Sequence, residues 1–375
     1  MYNDAIVITG FGLIGACGNN SEEFFNNLLV GKANIEELDK NNLHNIRYAA
    51  KIADFRSDNN IDKRLKRKCA RFSQISLNVV LEAVRMAKLY NLNSREVGIF
   101  VGNSTAGWES AENGLKSIFV EKKEVSPYLA SNWFPAAVQG HISLAFGYKG
   151  ISKTVTSGIL AIKMAMHYLK TGKISCAVVV GVETPVNDWG LKFFDATGQF
   201  THNQDGMFIG EGAGCLILER KEYAERRISK EKILATMHKC KDFFCREDFI
   251  TDRKALFETL ISNVEENADV VFVSGGSGQV QKIESEVYQK HFSNRIIYTC
   301  PKTYFGNTIG ASAVMDTILA VLSINKGIIP GSLVRENVKK MGIEILDQNI
   351  EMQINSCLVV SMEYGGVMAA LQVER

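Results

Sequence analysis

The chain has 375 residues, too many for one small core, so two domains or one large duplicated unit are expected at roughly 100–200 residues per domain. Its composition, 46% hydrophobic and 22% charged, is that of a soluble globular protein. The formal net charge of +2 gives no electrostatic case for nucleic acid.

The N-terminus, Met-Tyr-Asn-Asp, has no basic region, and the apolar run Ala5 to Ile8 is too short for a signal peptide. Ala5 to Thr9 reads as a short buried strand. It runs into Gly10-Phe-Gly-Leu-Ile-Gly15, which matches the dinucleotide pattern G-x-G-x-x-G. In a nucleotide site the helix opens within the glycine turn, so that its N-terminus meets the pyrophosphate. Here Gly18-Asn-Asn-Ser21 intervenes, and Ser21, followed by Glu22 and Glu23, is the expected N-cap. The glycines are therefore read as a turn for close packing. A nicotinamide-dependent oxidoreductase stays open on this motif alone.

Lys63-Arg-Leu-Lys-Arg-Lys68 is a basic cluster, either a solvated face or a dock for an acidic partner. Phe72 to Leu89 is an amphipathic helix with Ile75, Val79, Ala83 and Met86 on one face. Val97 to Gly102 is a buried strand, Trp108 to Phe119 a helix, and Trp133 to Phe146 another, closed by Gly147. Lys153 to Val155 is a short strand. After it, Thr156-Ser157-Gly158 turns into an apolar helix with Ile159, Ile162, Met166 and Leu169 on one stripe. Such a strand-to-helix turn often presents a nucleophile where backbone N–H groups stabilise developing negative charge. No activated nucleophile stands in this one. Ala177 to Val182 and Ala213 to Leu218 are strands. No apolar stretch approaches the ~20 residues of a membrane span.

The second half repeats the rhythm: strand Lys232 to Met237, helix Lys254 to Val264, strand Val270 to Val273, helix Glu284 to His291 and strand Arg295 to Thr299. A loop from Lys302 to Gly310 leads to the apolar helix Ala313 to Asn325. Cys357 to Ser361 and Val367 to Val373 form a hairpin around Gly365-Gly366. The alternation implies an α/β duplication divided near Glu219 to Ile233, with an N-terminal half 1–225 and a C-terminal half 226–375. The 8 cysteines show no C-x-x-C or metal-site spacing, which fits a reduced cytoplasmic protein.

Taken together, these segments resemble the condensing enzymes of the thiolase fold, specifically the type II β-ketoacyl-(acyl carrier protein) synthases. The resemblance covers nearly the whole chain. It is carried by IVITGFG at Ile6 to Gly12, VSPYLASNWFPAAVQGHISLAFGYKG at Val125 to Gly150, and TSGILAIKMA at Thr156 to Ala165. AVVVGVE at Ala177 to Glu183, GEGAGCLILE at Gly210 to Glu219, PKTYFGNTIGASAV at Pro301 to Val314 and SMEYGG at Ser361 to Gly366 complete it. The resemblance implies a thiolase-like α/β fold, two duplicated halves forming a five-layered α-β-α-β-α core. It places the Gly10 motif in the first strand turn and implies no cofactor.

That family's chemistry requires a cysteine at the turn, which takes the acyl chain as a thioester. It also requires two histidines that stabilise the enolate of decarboxylation. Matched onto this chain, the cysteine position is Val155, and no cysteine occurs between Cys69 and Cys176. The first histidine position, in Val273-Ser274-Gly275-Gly276, is Ser274. The second, in Gly306-Asn307-Thr308-Ile309-Gly310, is Asn307. Lys302 and Asp316 match the family's lysine and acidic positions. Three losses on three loops argue against condensation.

The resemblance narrows accordingly to the type II polyketide chain-length factor, a synthase relative without the active cysteine. It implies a heterodimer with an active ketosynthase, an acyl carrier protein as further partner, and a growing polyketide chain in a tunnel along the interface. Trp108, Leu129 and Met362 match tunnel or interface positions, Met362 standing where active synthases have a gating phenylalanine and Glu363 where they have the next glycine. Trp108 and Leu129 can equally be interface packing. Lys63, Arg64, Arg67 and Lys68 match the region that meets the carrier protein. The product class, aromatic polyketide or aryl polyene, stays open. So do an autonomous enzyme using Ser274, Thr156 or Ser157 as nucleophile, and a structural homodimer. Loops around Thr201 to Gly206 and Asp242 to Ile250 are shortened relative to the family.

Overall fold

A computed structural model describes residues 5–38, 44–90, 92–198, 200, 207–246, 250–264, 267–276, 278–292, 296–333, 342–363 and 365–375. The shortened loop at 201–206, and 247–249 within the second one, lie outside the described residues.

Among the described residues, ten strands form one sheet. They are β1 (Ile6–Gly15), β2 (Val97–Gly102), β3 (Ser152–Val155), β4 (Cys176–Glu183) and β5 (Gly212–Arg220), then β6 (Ala235–Phe244), β7 (Val270–Phe272), β8 (Ile297–Thr299), β9 (Ser356–Met362) and β10 (Val367–Glu374). Their spatial order is β8-β7-β9-β10-β6-β1-β5-β4-β2-β3. Outward from the β1/β6 junction, the order β1-β5-β4-β2-β3 on one side is matched by β6-β10-β9-β7-β8 on the other. The directions match as well. β5 is antiparallel to β1 and β4, and β10 to β6 and β9, while the outer pairs are parallel on both sides. An antiparallel contact from Ile6–Met237 to Ile8–Ala235 joins the two sets.

Helices follow the same repetition. α1 (Ser21–Leu29), α2 (Lys63–Lys68) and α3 (Arg71–Ala87) come first, then α4 (Trp108–Phe119), α5 (Leu129–Asn132), α6 (Ala137–Phe146), α7 (Gly158–Lys170), α8 (Asp188–Thr197) and α9 (Lys221–Arg227). α10 (Ile250–Val264), α11 (Gln279–His291), α12 (Lys302–Phe305) and α13 (Ser312–Lys326) complete the set among the described residues. α3 and α6 cover the outer face of the first five strands through Ile75, Val79, Val138 and Ile142. α10 and α11 cover the other five through Phe257, Ile261, Ile283 and Val287. Between the two sets of strands lie α7 and α13, in a single core with Ile159, Ile162, Val314 and Ile318. This is the expected five-layered, thiolase-like order. The stretch Ile309–Lys326 is long and apolar enough to cross a membrane, but 83% of it is buried inside the fold, so its apolarity is that of a central core helix.

Several expected boundaries change. β1 does not end at Thr9 but continues through Gly15, because the glycines belong to the strand. An added Cβ would lie 2.4 Å from the Ala83 carbonyl oxygen at Gly10 and 2.2 Å from that of Val79 at Gly12. The glycines let α3 lie directly on β1; they form no turn. Asn20, not Ser21, caps α1, its side chain accepting from Glu23 N at 2.9 Å. Met86 is 40% exposed and leaves the buried face of α3. The helix expected from Trp133 is α6, starting only at Ala137, with the short α5 before it. The strand expected from Lys232 starts at Ala235 and runs to Phe244. Lys302 to Gly310 is not a plain loop: it contains α12 and enters a single 3-10 turn, Ile309–Ala311. α8 was not expected at all. α9 occupies the segment expected to divide the halves. Its Arg227 donates to the buried Glu219 of β5 through Nε at 2.9 Å and Nη2 at 2.5 Å, which ties it to the first five strands.

Candidate functional site

The site is built on the turn between β3 and α7. Its position is set from two sides. Asn103 N donates to Val155 O at 3.0 Å and Ser104 Oγ to Thr156 O at 2.8 Å, anchoring it to the end of β2. On the other side, the loop before α13 packs backbone to backbone. A Cβ on Gly158 would lie 2.6 Å from Gly310 O, and one on Gly310 would lie 2.6 Å from Thr156 O. This contact brings Asn307, from the second half of the chain, to the α7 N-terminus.

A cavity of about 400 Å³ opens over the turn, lined by residues of both halves. Ser274, Asn307, Trp108, Met362 and Lys302, all singled out in the sequence, are brought together around it. Val155 is not among them: it ends β3 half-buried, with its side chain against the central core, and the next residue, Thr156, faces the cavity instead. Leu129 also lies elsewhere, half-buried over Gly114 of α4. Asp316 stands behind the wall, 2.6 Å from Lys302 Nζ. Lys63, Arg64, Arg67 and Lys68 are exposed on α2, remote in sequence from every one of these.

Ser274 and Asn307 are both anchored within the protein. Ser274 donates through Oγ to Glu284 Oε2 at 2.6 Å and through its N–H to Glu284 Oε1 at 2.9 Å, and Tyr288 donates to the same carboxylate at 2.9 Å. Burial pushes the Glu284 carboxyl up, opposed by these donors. Asn307 Oδ1 accepts from Ile309 N at 2.8 Å and Ser312 Oγ at 3.0 Å, so its carboxamide shapes the entry to α13. Ile309 takes φ of 49°, a left-handed conformation that a β-branched residue enters only when its surroundings impose it. Lys302 donates to Ser274 O at 2.9 Å. Burial works against its charge, and Asp316, Cys300 and Glu284 together outweigh burial, holding the ammonium above the usual lysine range.

Three further features of the site have no clear signature in the sequence. α8 supplies Phe193 and Phe194 to the cavity, Phe193 meeting the Trp108 ring edge-on at 5.4 Å between centroids. Arg253 of α10 adds a buried guanidinium to the wall. Two carboxyls flank the turn. Glu363, next to Met362, accepts from Ser157 Oγ at 2.5 Å and Ser361 Oγ at 3.1 Å. Glu183, at the end of β4, accepts from Thr105 N at 3.0 Å and also from Thr105 Oγ and Ser104 N. Burial pushes each of them up to about 7, against hydrogen bonds that favour the charged form; the charge of Glu363 adds to the rise at Glu183. The unusual glutamate at 363 was visible in the sequence, but its partner Ser157 is 206 positions away.

These carboxyls have a stability consequence. Between pH 4.5, the ordinary glutamate value, and about 7 the folded chain keeps protons that the unfolded chain has released. Their contribution therefore weakens as pH rises through that window and levels off above it. A shift of this size in one group corresponds to on the order of 3 kcal/mol. Glu363→Gln keeps an acceptor for both serines and removes one titration. Relative to the parent, it should gain about 1–3 kcal/mol in urea unfolding at pH 8 over its value at pH 5. Identical pH profiles would contradict the assignment.

The family described as Beta-ketoacyl synthase, N-terminal domain, matches residues 3–224. The tetracenomycin polyketide synthase ketoacyl synthase beta subunit of Streptomyces glaucescens is 25% identical over 403 residues, spanning 99% of this chain and 98% of that protein. The 3-oxoacyl-[acyl-carrier-protein] synthase 2 of Staphylococcus aureus (strain COL) is 28% identical over 247 residues, 60% of each protein. Among solved structures, the ishigamide ketosynthase/chain length factor has a TM-score of 0.88 at 21% identity, covering 99% of this chain and 98% of that one. A chain of the AntDE:AntF complex, a type II PKS acyl-carrier protein with its ketosynthase, has a TM-score of 0.83 at 16% identity with the same coverage. The structural matches share the ketosynthase fold, and with the profile covering more than half of its length the chain belongs to the β-ketoacyl synthase family.

Proposed function

We propose that this chain is a non-catalytic chain-length factor of a bacterial type II polyketide pathway, aromatic or aryl polyene in product. In this reading it pairs with an active ketosynthase and shapes the space that limits chain growth. The observation that carries it is the combination at the site: the cavity and its Lys302–Asp316 scaffold are kept, while a serine and an asparagine stand at the histidine positions and the turn holds no cysteine. The full-length similarity to a ketoacyl synthase beta subunit supports the same reading.

The surface fits a partner. Phe119, Val120, Trp133, Phe134 and Leu144 are exposed along α4 to α6, more apolar side chain than an isolated surface carries without cause. α6 packs beside β3, the last strand of the sheet, where Thr154 Oγ1 donates to Gln139 Oε1 at 3.0 Å. An apolar face next to an open sheet edge suits a heterodimer interface. Leu129, half-buried on α5 between α4 and α6, would sit at this interface. For the carrier protein, α2 presents Lys63, Arg64, Arg67 and Lys68 outward, while Lys66 turns in and donates to Asp58 O at 2.8 Å. Lys63→Glu combined with Arg67→Glu should weaken carrier binding in a salt-dependent way.

Chain length would be set sterically. Trp108 opens α4 directly on the cavity, and an extra unit forced against it means overpacking. The test is co-purification with the active synthase encoded beside it, followed by product analysis with carrier protein and malonyl donor. A stable 1:1 complex active only as a pair is expected, and Trp108→Ala in that complex should add at least one further extension. A homodimer that ignores every synthase offered, or an unchanged product length, would refute the pairing and the Trp108 role respectively. Turnover of acyl thioesters by the isolated chain would instead favour a serine or threonine nucleophile. Ser274 and Ser157 each have a contact to build on, their hydroxyls bonded to the Glu284 and Glu363 carboxyl groups respectively.

A further inference from the structure

The tip of the β9–β10 hairpin folds back onto the α7 N-terminus. Glu363 N donates to Val367 O at 2.8 Å and Gly366 N to Glu363 O at 3.2 Å, which fixes the backbone at 363. From there the Glu363 side chain borders the cavity together with Thr156, Ser361 and Met362. Its Oε1 accepts from Ser157 and Ser361, as described. Ser157 is the N-cap residue of α7, a 13-residue helix, yet its hydroxyl makes no bond to its own helix. The hydroxyl at the positive end of the helix is instead committed to a carboxyl group from the far end of the chain.

We propose that Glu363 is an internal occupant of this turn and sets what the cavity accepts. Its carboxyl group stands at the α7 N-terminus, where a bound acid or acyl carbonyl would otherwise be received. The cavity is therefore a site for neutral, apolar groups, lined by Trp108, Phe193 and Phe194, and it rejects carboxylates at its inner end. Other charged groups bear on the same place: Glu183 across the turn reinforces the rejection, while Lys302 and Arg253 oppose it. The inference concerns the isolated chain and stands independently of the pairing proposed above.

Thr156 faces the cavity, so a cysteine there reports on it directly. In the purified Thr156→Cys variant at pH 8, alkylation at position 156 by neutral iodoacetamide and by anionic iodoacetate is followed by peptide mass spectrometry. The native cysteines are buried, apart from the half-buried Cys240, and are resolved as separate peptides. Each rate is divided by that of free cysteine with the same reagent. The neutral reagent should be preferred by about ten-fold or more, and the preference should fall about ten-fold in Thr156→Cys/Glu363→Gln. Glu363→Gln keeps the size and the serine contacts, so a general loss of structure would speed both reagents alike without moving the ratio. An unchanged ratio between the two backgrounds, whatever the absolute rates, overturns the proposal.

Discussion

Lys302→Met is expected to cost about 3–5 kcal/mol of unfolding free energy, among the largest effects of any single substitution in this chain. Lys302 and Asp316 side chains are 2% and 1% exposed, with Nζ 2.6 Å from Oδ2. Removing the ammonium leaves the Asp316 carboxylate within α13, whose neighbouring positions Met315, Ile318, Leu319 and Ala320 are fully buried and apolar. It also frees the Ser274 carbonyl, which loses its donor at 2.9 Å. The cost is that of an uncompensated buried charge rather than the net worth of the pair. Lys302→Met combined with Asp316→Leu should therefore be closer to the parent than either single variant. Denaturant unfolding of the four proteins decides the matter. Additive losses in the double variant, or a single-variant loss below about 1 kcal/mol, would remove the pair as a stabilising element.

Gly12→Ala is expected to be nearly as damaging, at about 3 kcal/mol or more, and Gly12→Val to yield little folded protein. The new methyl would lie 2.2 Å from Val79 O and 2.9 Å from Val79 C, both backbone atoms of α3. A side chain could rotate away; a helix backbone inside a packed layer cannot. Gly15→Ala meets instead the edge of the Phe24 ring at 2.7 Å and should be milder, because that ring can shift. The same variants separate the two readings of Gly10 to Gly15. A nucleotide-binding turn predicts a folded protein that has lost a measurable affinity for NAD. The strand packing seen here predicts lost stability and no NAD binding to lose. Gly12→Ala protein with parental unfolding behaviour would overturn the packing account.

Much of the architecture was legible because it is local. α3 shows its buried stripe at Ile75, Val79 and Ala83, and β2 and β4 are continuous apolar runs between polar ends. α13 is apolar on most of its circumference and buried all round, which is what a central layer requires. Elements went unseen where the signal depends on distant partners. α8 buries only Gly190, Leu191 and Phe194, too few for a stripe, and leaves Phe193 and Trp189 partly exposed. β1 looked broken at Gly10 because glycine usually marks a turn, whereas here it marks the approach of α3.

The site divides the same way. That serine and asparagine stand at 274 and 307, and that no cysteine lies between Cys69 and Cys176, are properties of the chain's order and need no coordinates. Which residue of the turn faces the cavity does. Thr156 does so and Val155 does not, because β3 ends at Val155 with that side chain in the central core. Glu363 on Ser157, Phe193 on Trp108 and Gly310 on Thr156 are likewise contacts between segments far apart in the chain. Periodicity and composition report which face of an element is apolar; they carry no information on which other element that face will meet. Those meetings are settled by close packing of whole layers, and it is there that this chain acquires its cavity, its buried carboxyls and its exposed apolar face.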